Sequence, residues 1–334
     1  MGCYANSKLK LLLLLKLLNK YSDEDHPLSA AKLCRLLNDE GINTDRKTIY
    51  RDIEALTEFG IDIIYTRLPK QGFFIAKRSF ELAEVRLLMD AVLTASFITN
   101  KKTEDLTKKL CELLSCYQAE QVLNQIYVKE RVKFENEEIY YNIDTINRAI
   151  SENRKIRFFY HHRIIIDRTV QYDRGREFII SPYSLIWEND KYYLVGNYEK
   201  YDSISNYRLD RMKSVCVTQL ASRPFNEVCE YNDCFDSADY TKKTFNMYNG
   251  KCEQIILRCS NNLLDTIVDK FGSETEFSCH DDNAFTVCAN VFVSEGLIEW
   301  LMQYGDRIIV LSPQNLKDEM MNRIESVSSA YKIT

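Results

Sequence analysis

The chain has 334 residues, of which 45% are hydrophobic and 28% charged, so it holds enough apolar material for two or three domains and is not globally disordered. Ten glycines and five prolines exclude collagen-like and proline-rich architectures. The net charge of −5 argues mildly against nucleic acid as a partner, but residues 1–78 hold 13 Lys and Arg against 10 Asp and Glu, a local charge of +3.

The most apolar window is Leu9–Leu18, which is interrupted by Lys10 and Lys16 and is far shorter than the roughly 20 apolar residues needed to span a bilayer. Acidic residues follow it where a signal peptide would have a cleavage site, so we expect a cytoplasmic protein without a membrane segment. The 11 cysteines form no Cys-x-x-Cys pair and only four histidines occur. We therefore expect reduced thiols, no metal site and no cofactor.

Three amphipathic helices are predicted in the first 60 residues. Leu11, Leu14, Leu15 and Leu18 form the apolar stripe of the first helix. The second begins after Ser29, a preferred N-cap residue, and ends at Gly41. The third is predicted over Thr44 to Phe59, with Thr44 as its N-cap and a buried side formed by Ile49, Ile53 and Leu56.

Two short runs with strand propensity follow, at residues 61–66 and 72–76, joined by a basic turn that contains Arg67 and Lys70. Three helices followed by a hairpin indicate a winged helix-turn-helix domain over residues 1–78. Renewed helical spacing from residue 80 to about residue 124 predicts a helical connector, which we assign to residues 79–140.

From residue 151 the apolar period changes to two, which predicts a multidomain α+β protein. Five short strands with turns between them indicate a small antiparallel β-barrel of SH3 or Sm-like size over residues 141–222. Residues 223–250 are rich in Asn and Asp and are interpreted as a linker with a short helix. Residues 251–334 alternate as βαβαβα and predict a C-terminal α/β sandwich.

The third helix has the composition of a DNA-reading element. Lys47, Arg51 and Glu54 lie opposite its apolar stripe, and a helix that enters the major groove needs polar and basic side chains on that face. The predicted DNA-binding residues of this helix and the wing are Thr44, Arg46, Lys47, Thr48, Tyr50, Arg51, Arg67 and Lys70. The alternative is an ordinary solvated helix face, because winged three-helix domains also serve as protein-binding modules.

The run from Thr44 to Leu56 resembles the recognition helix of bacterial regulators of the DeoR-like and WYL-domain classes. In the β domain, Ser181–Trp187, Lys191–Val195 and Tyr207–Met212 are similar in order and spacing to the core of the WYL domain, although Tyr192 stands where the family has its Trp. Residues 245–250 and the final segment with Trp300 resemble the C-terminal extension of WYL regulators. The resemblance covers nearly the whole chain.

This resemblance implies a homodimeric transcription factor that binds a double-stranded DNA operator and whose WYL domain senses an effector. In some members the effector is a nucleotide or a nucleic-acid fragment. Guanidinium groups suit bidentate contact with phosphate or carboxylate, and tyrosines add stacking faces. The candidate effector-binding residues are Tyr160, Ser181, Tyr183, Tyr193, Arg208 and Arg211. The alternative is that the tyrosines pack a core and that Asp210 pairs with one of the two arginines.

Two other function classes remain open from the sequence. An RNA-binding or protein-interaction adaptor would use the WYL barrel as its main surface, and a preference for RNA over duplex DNA would identify it. An enzyme, such as a nuclease, is not expected, because the sequence has no glycine-rich phosphate loop, no Gly-x-Ser-x-Gly elbow and no His-Glu-x-x-His motif. The residues do not distinguish a repressor from an activator.

Overall fold

The chain divides into two units, Met1–Glu135 and Asn136–Thr334, in a computed structural model that describes residues 3–125, 138–231, 235–281 and 283–332. Residues 126–137 of the predicted connector and 232–234 of the predicted linker lie outside the described residues. Both units mix helices with antiparallel sheet, so the predicted mixed α and β class is confirmed.

The first unit begins with three helices and a two-stranded antiparallel sheet and continues with three more helices. Its elements are α1 Cys3–Tyr21, α2 Ala30–Asp39, α3 Arg46–Glu58, β1 Ile63–Thr66, β2 Gly72–Ile75, α4 Leu82–Thr94, α5 Asn100–Cys111 and α6 Cys116–Gln125. Ser29 caps α2 as predicted, because its side chain accepts a hydrogen bond from the Lys32 amide.

The core under α3 is formed by the apolar stripes that the sequence predicts. Leu14 and Leu18 of α1 pack with Ile49 and Ile53 of α3, all buried. The β1–β2 hairpin is tied to this core by Phe73, whose backbone exchanges two hydrogen bonds of 2.8 Å with Leu28. The hairpin is therefore held against the helices along one whole strand.

The helices after the hairpin pack on the first helices of the same unit. Asp23, which follows α1, is buried and accepts hydrogen bonds from the Ser115 hydroxyl and from the His26 amide and ring. Arg78 donates to the carbonyls of Asn19 and Ser22. These contacts make α4 to α6 part of one unit with α1 to α3.

The second unit starts with a helix and a five-stranded antiparallel sheet in the order β8-β7-β6-β3-β9. Its first elements are α7 Ile139–Ser151, β3 Arg154–Tyr160, β4 Arg163–Ile166, β5 Thr169–Tyr172, β6 Arg176–Glu188, β7 Lys191–Tyr198, β8 Ile204–Arg208 and β9 Met212–Ala221. The five predicted strands are all present, with ends that differ by a few residues. No pairing joins β8 to β9 within the described ranges, so closure into a barrel stays a prediction.

The strand alternation in β3 agrees with the sequence. Phe158 and Tyr160 are buried on one face, while Arg157 and Phe159 are exposed on the other. The β4–β5 hairpin was not predicted from the sequence, and it forms a separate two-stranded sheet.

The segment between the sheets contains the predicted short helix, α8 Ser237–Lys243. Tyr240 in this helix is completely buried and packs in a cluster with Ile186 and Val195 of the five-stranded sheet. Burial raises the pKa of Tyr240 to about 12. The segment is therefore packed onto the sheet by its central aromatic side chain.

The last region has one more strand than the predicted βαβαβα pattern. Its elements are β10 Lys251–Ser260, α9 Leu264–Phe271, β11 Glu276–Asp281, β12 Ala284–Val293, α10 Glu295–Met302, β13 Ile308–Ser312 and α11 Gln314–Lys332. The strand order β11-β12-β10-β13, all antiparallel, is that of a ferredoxin-like split βαβ arrangement. Gly296 permits close packing here, because a Cβ at this position would lie 2.2 Å from the Phe245 carbonyl oxygen.

Candidate functional site

The start of α3 is fixed by Asp45 and not by Thr44. The Asp45 carboxylate accepts hydrogen bonds from the Thr48 amide at 2.9 Å and from the Thr48 hydroxyl at 3.1 Å. These bonds hold the pKa of the Asp45 carboxyl below its usual range. The prediction that Thr44 caps the third helix is wrong, because a carboxylate is the stronger acceptor for the unpaired amides of a first turn.

The basic residues of α3 lie on one accessible surface. Arg46, Lys47, Tyr50 and Arg51 are all exposed; Lys47 and Arg51 lie opposite the buried stripe, and Tyr50 lies on its flank. Thr48 is half-buried and tied to the N-cap, so its hydroxyl already has a partner. The basic side chains predicted for this face are therefore exposed. The Thr48 hydroxyl instead contributes to the cap at the start of α3.

The β1–β2 hairpin adds two cations and an aromatic contact. Arg67 and Lys70 are both exposed in the connection between the strands. Tyr50 of α3 packs edge-on against Phe73, with ring centroids 5.5 Å apart, so the hairpin and the exposed face of α3 are neighbours. Exposed cations therefore lie on both of these neighbouring elements.

An ion pair that the sequence reasoning missed positions α3. The Lys10 ammonium of α1 lies 2.9 Å from the Asp52 carboxylate of α3, and both side chains are only 12% exposed. The signal in the sequence is Lys10 itself, which interrupts a leucine run in which every neighbour is apolar. This pair links α3 to α1 beside the buried apolar stripe that orients the helix.

The six candidate effector-binding residues are divided between two places. Tyr160, Tyr193, Arg208 and Arg211 lie close enough to interact electrostatically, around the end of β8. Ser181 and Tyr183 instead bind the backbone that follows β9. The Ser181 hydroxyl accepts from the Arg223 amide and the Tyr183 hydroxyl donates to the Arg223 carbonyl, both at 2.9 Å. Burial raises the pKa of Tyr183.

Arg208 forms a fork with the carboxylate two residues away. Its Nε and Nη2 atoms lie 3.0 Å and 2.7 Å from the two Asp210 oxygens, and the side chains are 18% and 5% exposed. Burial lowers the pKa of the guanidinium, but the Asp210 carboxylate outweighs this and the pKa lies above its ordinary value. The pairing alternative raised from the sequence is therefore the arrangement observed.

Tyr160 belongs to an aromatic cluster inside the sheet. Its ring lies 5.6 Å from that of Tyr207 and 6.2 Å from that of Phe178, and its hydroxyl accepts from the Arg208 amide at 3.2 Å. Tyr193 and Arg211 are half-buried. Of the four residues near the end of β8, Tyr193 and Arg211 thus keep part of their surface exposed, and Arg208 is engaged by Asp210.

Among the residues whose placement is described, no three His, Cys, Asp or Glu side chains come together as they would around a metal ion. In the same part of the chain, every helix is too short or too polar to cross a membrane.

Two family models match the second unit. The model of the WYL domain matches residues 141–217, and the model of the WCX domain matches residues 253–328. No curated protein sequence matches the chain.

Solved structures are similar over almost all of the chain. Proteasome accessory factor B/C (PafBC) of Arthrobacter aurescens is 19% identical with a TM-score of 0.28, and the match covers 97% of this chain and 47% of that one. A CRISPR Cas-related protein is 14% identical with a TM-score of 0.36, and the match covers 98% of this chain and 85% of that one. The chain thus spans about half the length of PafBC. The chain therefore contains a WYL domain followed by a WCX domain, the two domains whose resemblance was found in the sequence.

Proposed function

We propose that the chain is a sequence-specific regulator of transcription that binds double-stranded DNA through a winged helix-turn-helix formed by α1 to α3 and the β1–β2 hairpin. The observation that carries the proposal is the exposed face of α3 with Arg46, Lys47, Tyr50 and Arg51. A helix held by its apolar side, with cations and hydrogen-bond donors on the other, suits the major groove.

The β1–β2 hairpin, which is the wing of the proposed domain, adds cations beside the exposed face of α3. Arg67 and Lys70 stand where a hairpin beside a recognition helix reaches the phosphate backbone. Phosphate contacts supply affinity and base contacts supply selectivity. Raising the salt concentration therefore weakens binding, with a slope that counts the phosphates neutralised.

The proposed regulator is a homodimer with an effector site in its WYL domain. One short helix contacts few base pairs, and two linked half-sites multiply the affinity. The effector site comprises Tyr193, Arg211 and the Arg208–Asp210 pair beside them, and its ligand is an anion, a nucleotide or a single-stranded nucleic-acid fragment. The ligand's phosphate binds the arginines while a base stacks on Tyr193. No step of this function is catalytic.

The experiment that tests DNA binding selects genomic fragments with the purified protein and footprints the enriched ones. Arg51→Ala lowers operator affinity by about 1 to 3 kcal/mol if the side chain contacts a base edge. Lys16→Ala is the control, because Lys16 is also exposed but lies on α1. Equal affinity of wild type and Arg51→Ala would remove α3 from the interface, and a preference for RNA over duplex DNA would favour an adaptor.

A further inference from the structure

The second unit carries an arm that projects from the end of its five-stranded sheet. Strands β3 and β6 pair as far as Tyr160 and Arg176, and the chain between them forms the β4–β5 hairpin. We call residues 161–175 the arm. Its two turn residues, Asp167 and Arg168, have φ angles of 49° and 64°, which is the backbone of a type I′ turn.

The base of the arm is held by Asp173. Its carboxylate accepts hydrogen bonds of 3.0 Å from the amides of His162 and Gly175, and its amide donates to the His162 carbonyl at 3.0 Å. The His161 ring nitrogen Nδ1 lies 2.9 Å from the Asp173 carbonyl oxygen. These bonds fix the direction in which the arm leaves the sheet.

The strands of the arm are exposed, and β4 carries three consecutive isoleucines. All eight strand residues are exposed, and the side chains of Ile165 and Val170 are 78% and 68% exposed. The hairpin pairs with no other strand of the described residues. A lone hairpin is marginally stable in water, and an apolar edge strand is a template for pairing with another chain. The arm therefore has the properties of an interface element.

The edge of β4 offers backbone groups at Ile165. The pair Ile166 and Thr169 closes the two-residue turn and is hydrogen-bonded. Because hydrogen-bonded and non-hydrogen-bonded pairs alternate along an antiparallel ladder, the N–H and C=O of Ile165 point away from β5. A strand added at this edge finds a donor and an acceptor at that residue.

The sequence of β4 is complementary to itself in the antiparallel direction. Pairing two copies about a twofold axis at Ile165 places Ile165 opposite itself, Ile164 opposite the partner's Ile166, and Arg163 opposite the partner's Asp167. The symmetry makes this ion pair twice. Within the described residues the Asp167 carboxylate accepts no hydrogen bond and forms no ion pair, so it is available to a partner cation.

The other edge of the arm lacks this match. A twofold pairing of β5 about Gln171 places Thr169 opposite the partner's Asp173 and Val170 opposite the partner's Tyr172. It creates no ion pair between copies, and Asp173 is already bonded at the base of the arm. Charge complementarity therefore favours β4.

We infer that two copies of the chain join through the β4 edges of their arms, forming a four-stranded antiparallel sheet with Ile165 on the twofold axis and Arg163 paired with the partner's Asp167. This interface rests on the homodimer in the proposed function and names a surface within it. The arm supplies one part of the interface, because four short strands bury less than the roughly 800 Å² per partner of a standard interface.

Charge reversal in the full-length protein tests the ion pairs. Arg163→Asp places like charges opposite each other twice, as does Asp167→Arg, and each raises the dimer dissociation constant by about tenfold or more in sedimentation equilibrium. Mixing the two variants restores dimerisation, because every position 163 then faces an opposite charge at position 167. Arg174→Asp is the control: it makes the same charge change on an exposed residue of the arm outside the pairing register.

Disulfide cross-linking tests the position of the twofold axis and does not depend on charge. In the proposed sheet the two Ile165 Cα atoms lie about 5.5 Å apart, within disulfide range. The two Val170 residues, on the outer strands, are separated by three strand spacings, or about 14 Å. Oxidation of the Ile165→Cys variant yields a dimer linked through position 165 of both copies by peptide mass spectrometry, while Val170→Cys remains at the level of the wild type.

The outcomes separate this inference from the proposed function. If wild type is a dimer but neither charge variant dissociates it and Val170→Cys cross-links as readily as Ile165→Cys, the arm interface is overturned and the dimeric regulator stands. If wild type is a monomer at all concentrations, the proposed homodimer fails and the arm pairing fails with it. If Arg163→Asp leaves the dimer intact and weakens DNA binding, the arm is a nucleic-acid contact and the inference is overturned.

Discussion

The Arg208–Asp210 fork places two opposite charges where water has little access, with the Asp210 side chain only 5% exposed. Removing water from a carboxylate costs several kcal/mol, and the guanidinium compensates for that cost only while it stays in place. The fork therefore makes Arg208 a structural residue even if its outer edge also meets a ligand. None of the contacts described for the neighbouring Arg211 gives its side chain a comparable structural role.

A stability measurement distinguishes the two roles of Arg208. We expect Arg208→Ala to lower the free energy of unfolding by about 3 kcal/mol, because the Asp210 carboxylate then remains buried without a counter-charge. Urea denaturation followed by circular dichroism measures the change. The double variant Arg208→Ala/Asp210→Ala is the control and loses less than the single variant, since it leaves no unpaired charge. Full stability of Arg208→Ala would show that the fork contributes nothing and that the arginine serves the ligand alone.

Asp23 is the residue that joins the start and the end of the first unit. It lies after α1 in the chain and binds Ser115, which directly precedes α6. The Ser115 side chain is completely buried, as is almost all of Asp23. The two residues are 92 positions apart in the chain, so the contact exists only when α6 is packed on α1.

We expect Ser115→Ala to destabilise the first unit by about 2 kcal/mol, because it removes the hydrogen bond to the buried Asp23 carboxylate and the acceptor of the Gln118 amide at the start of α6. Thermal or urea unfolding of the full chain measures the effect. The control is Thr94→Ala: this hydroxyl donates to the backbone carbonyl of Asp90 instead of a carboxylate, it is exposed, and its loss costs little. Equal effects of the two variants would mean that the Asp23 contact does not hold α6 in place.

The elements that the sequence predicted are those with one buried face. The stripe of Ile49, Ile53 and Leu56 located α3, and the alternation of Phe158 and Tyr160 located β3. The β4 strand has no buried face. Its three consecutive isoleucines show neither the 3.6-residue period of an amphipathic helix nor the two-residue period of a half-buried strand, so the sequence did not predict it.

The same argument, that a buried face makes an element predictable, explains which parts of the candidate sites could be predicted. The basic face of α3 was predictable, because a face opposite a buried stripe is exposed by helix geometry alone. The cap was assigned one residue too early because Thr44 and Asp45 are adjacent N-cap residues and the prediction gave no weight to the stronger acceptor, the Asp45 carboxylate. The separation of Ser181 and Tyr183 from Arg208 was not predictable, because it depends on where the chain after β9 returns.

The whole molecule combines a small positive charge near its N-terminus with a net negative charge elsewhere. Such a chain is repelled by DNA except where its basic face meets the groove, so correct orientation contributes more than total charge. Two copies held together present two such faces, and the second contact forms at high effective concentration. Dimer stability and operator affinity are therefore linked quantities.

This linkage predicts how the arm affects operator binding. Arg163→Asp should weaken binding to a duplex with two half-sites by about the same factor, roughly tenfold, by which it raises the dimer dissociation constant, because fewer copies then reach the duplex already joined. Binding to a duplex with one half-site should stay unchanged, since the residue lies outside α3 and the wing. Fluorescence anisotropy on both duplexes measures the difference, and an equimolar mixture with Asp167→Arg should restore the two-site affinity. An equal loss on both duplexes would instead place Arg163 in contact with DNA, and no loss on either would separate the arm from operator binding.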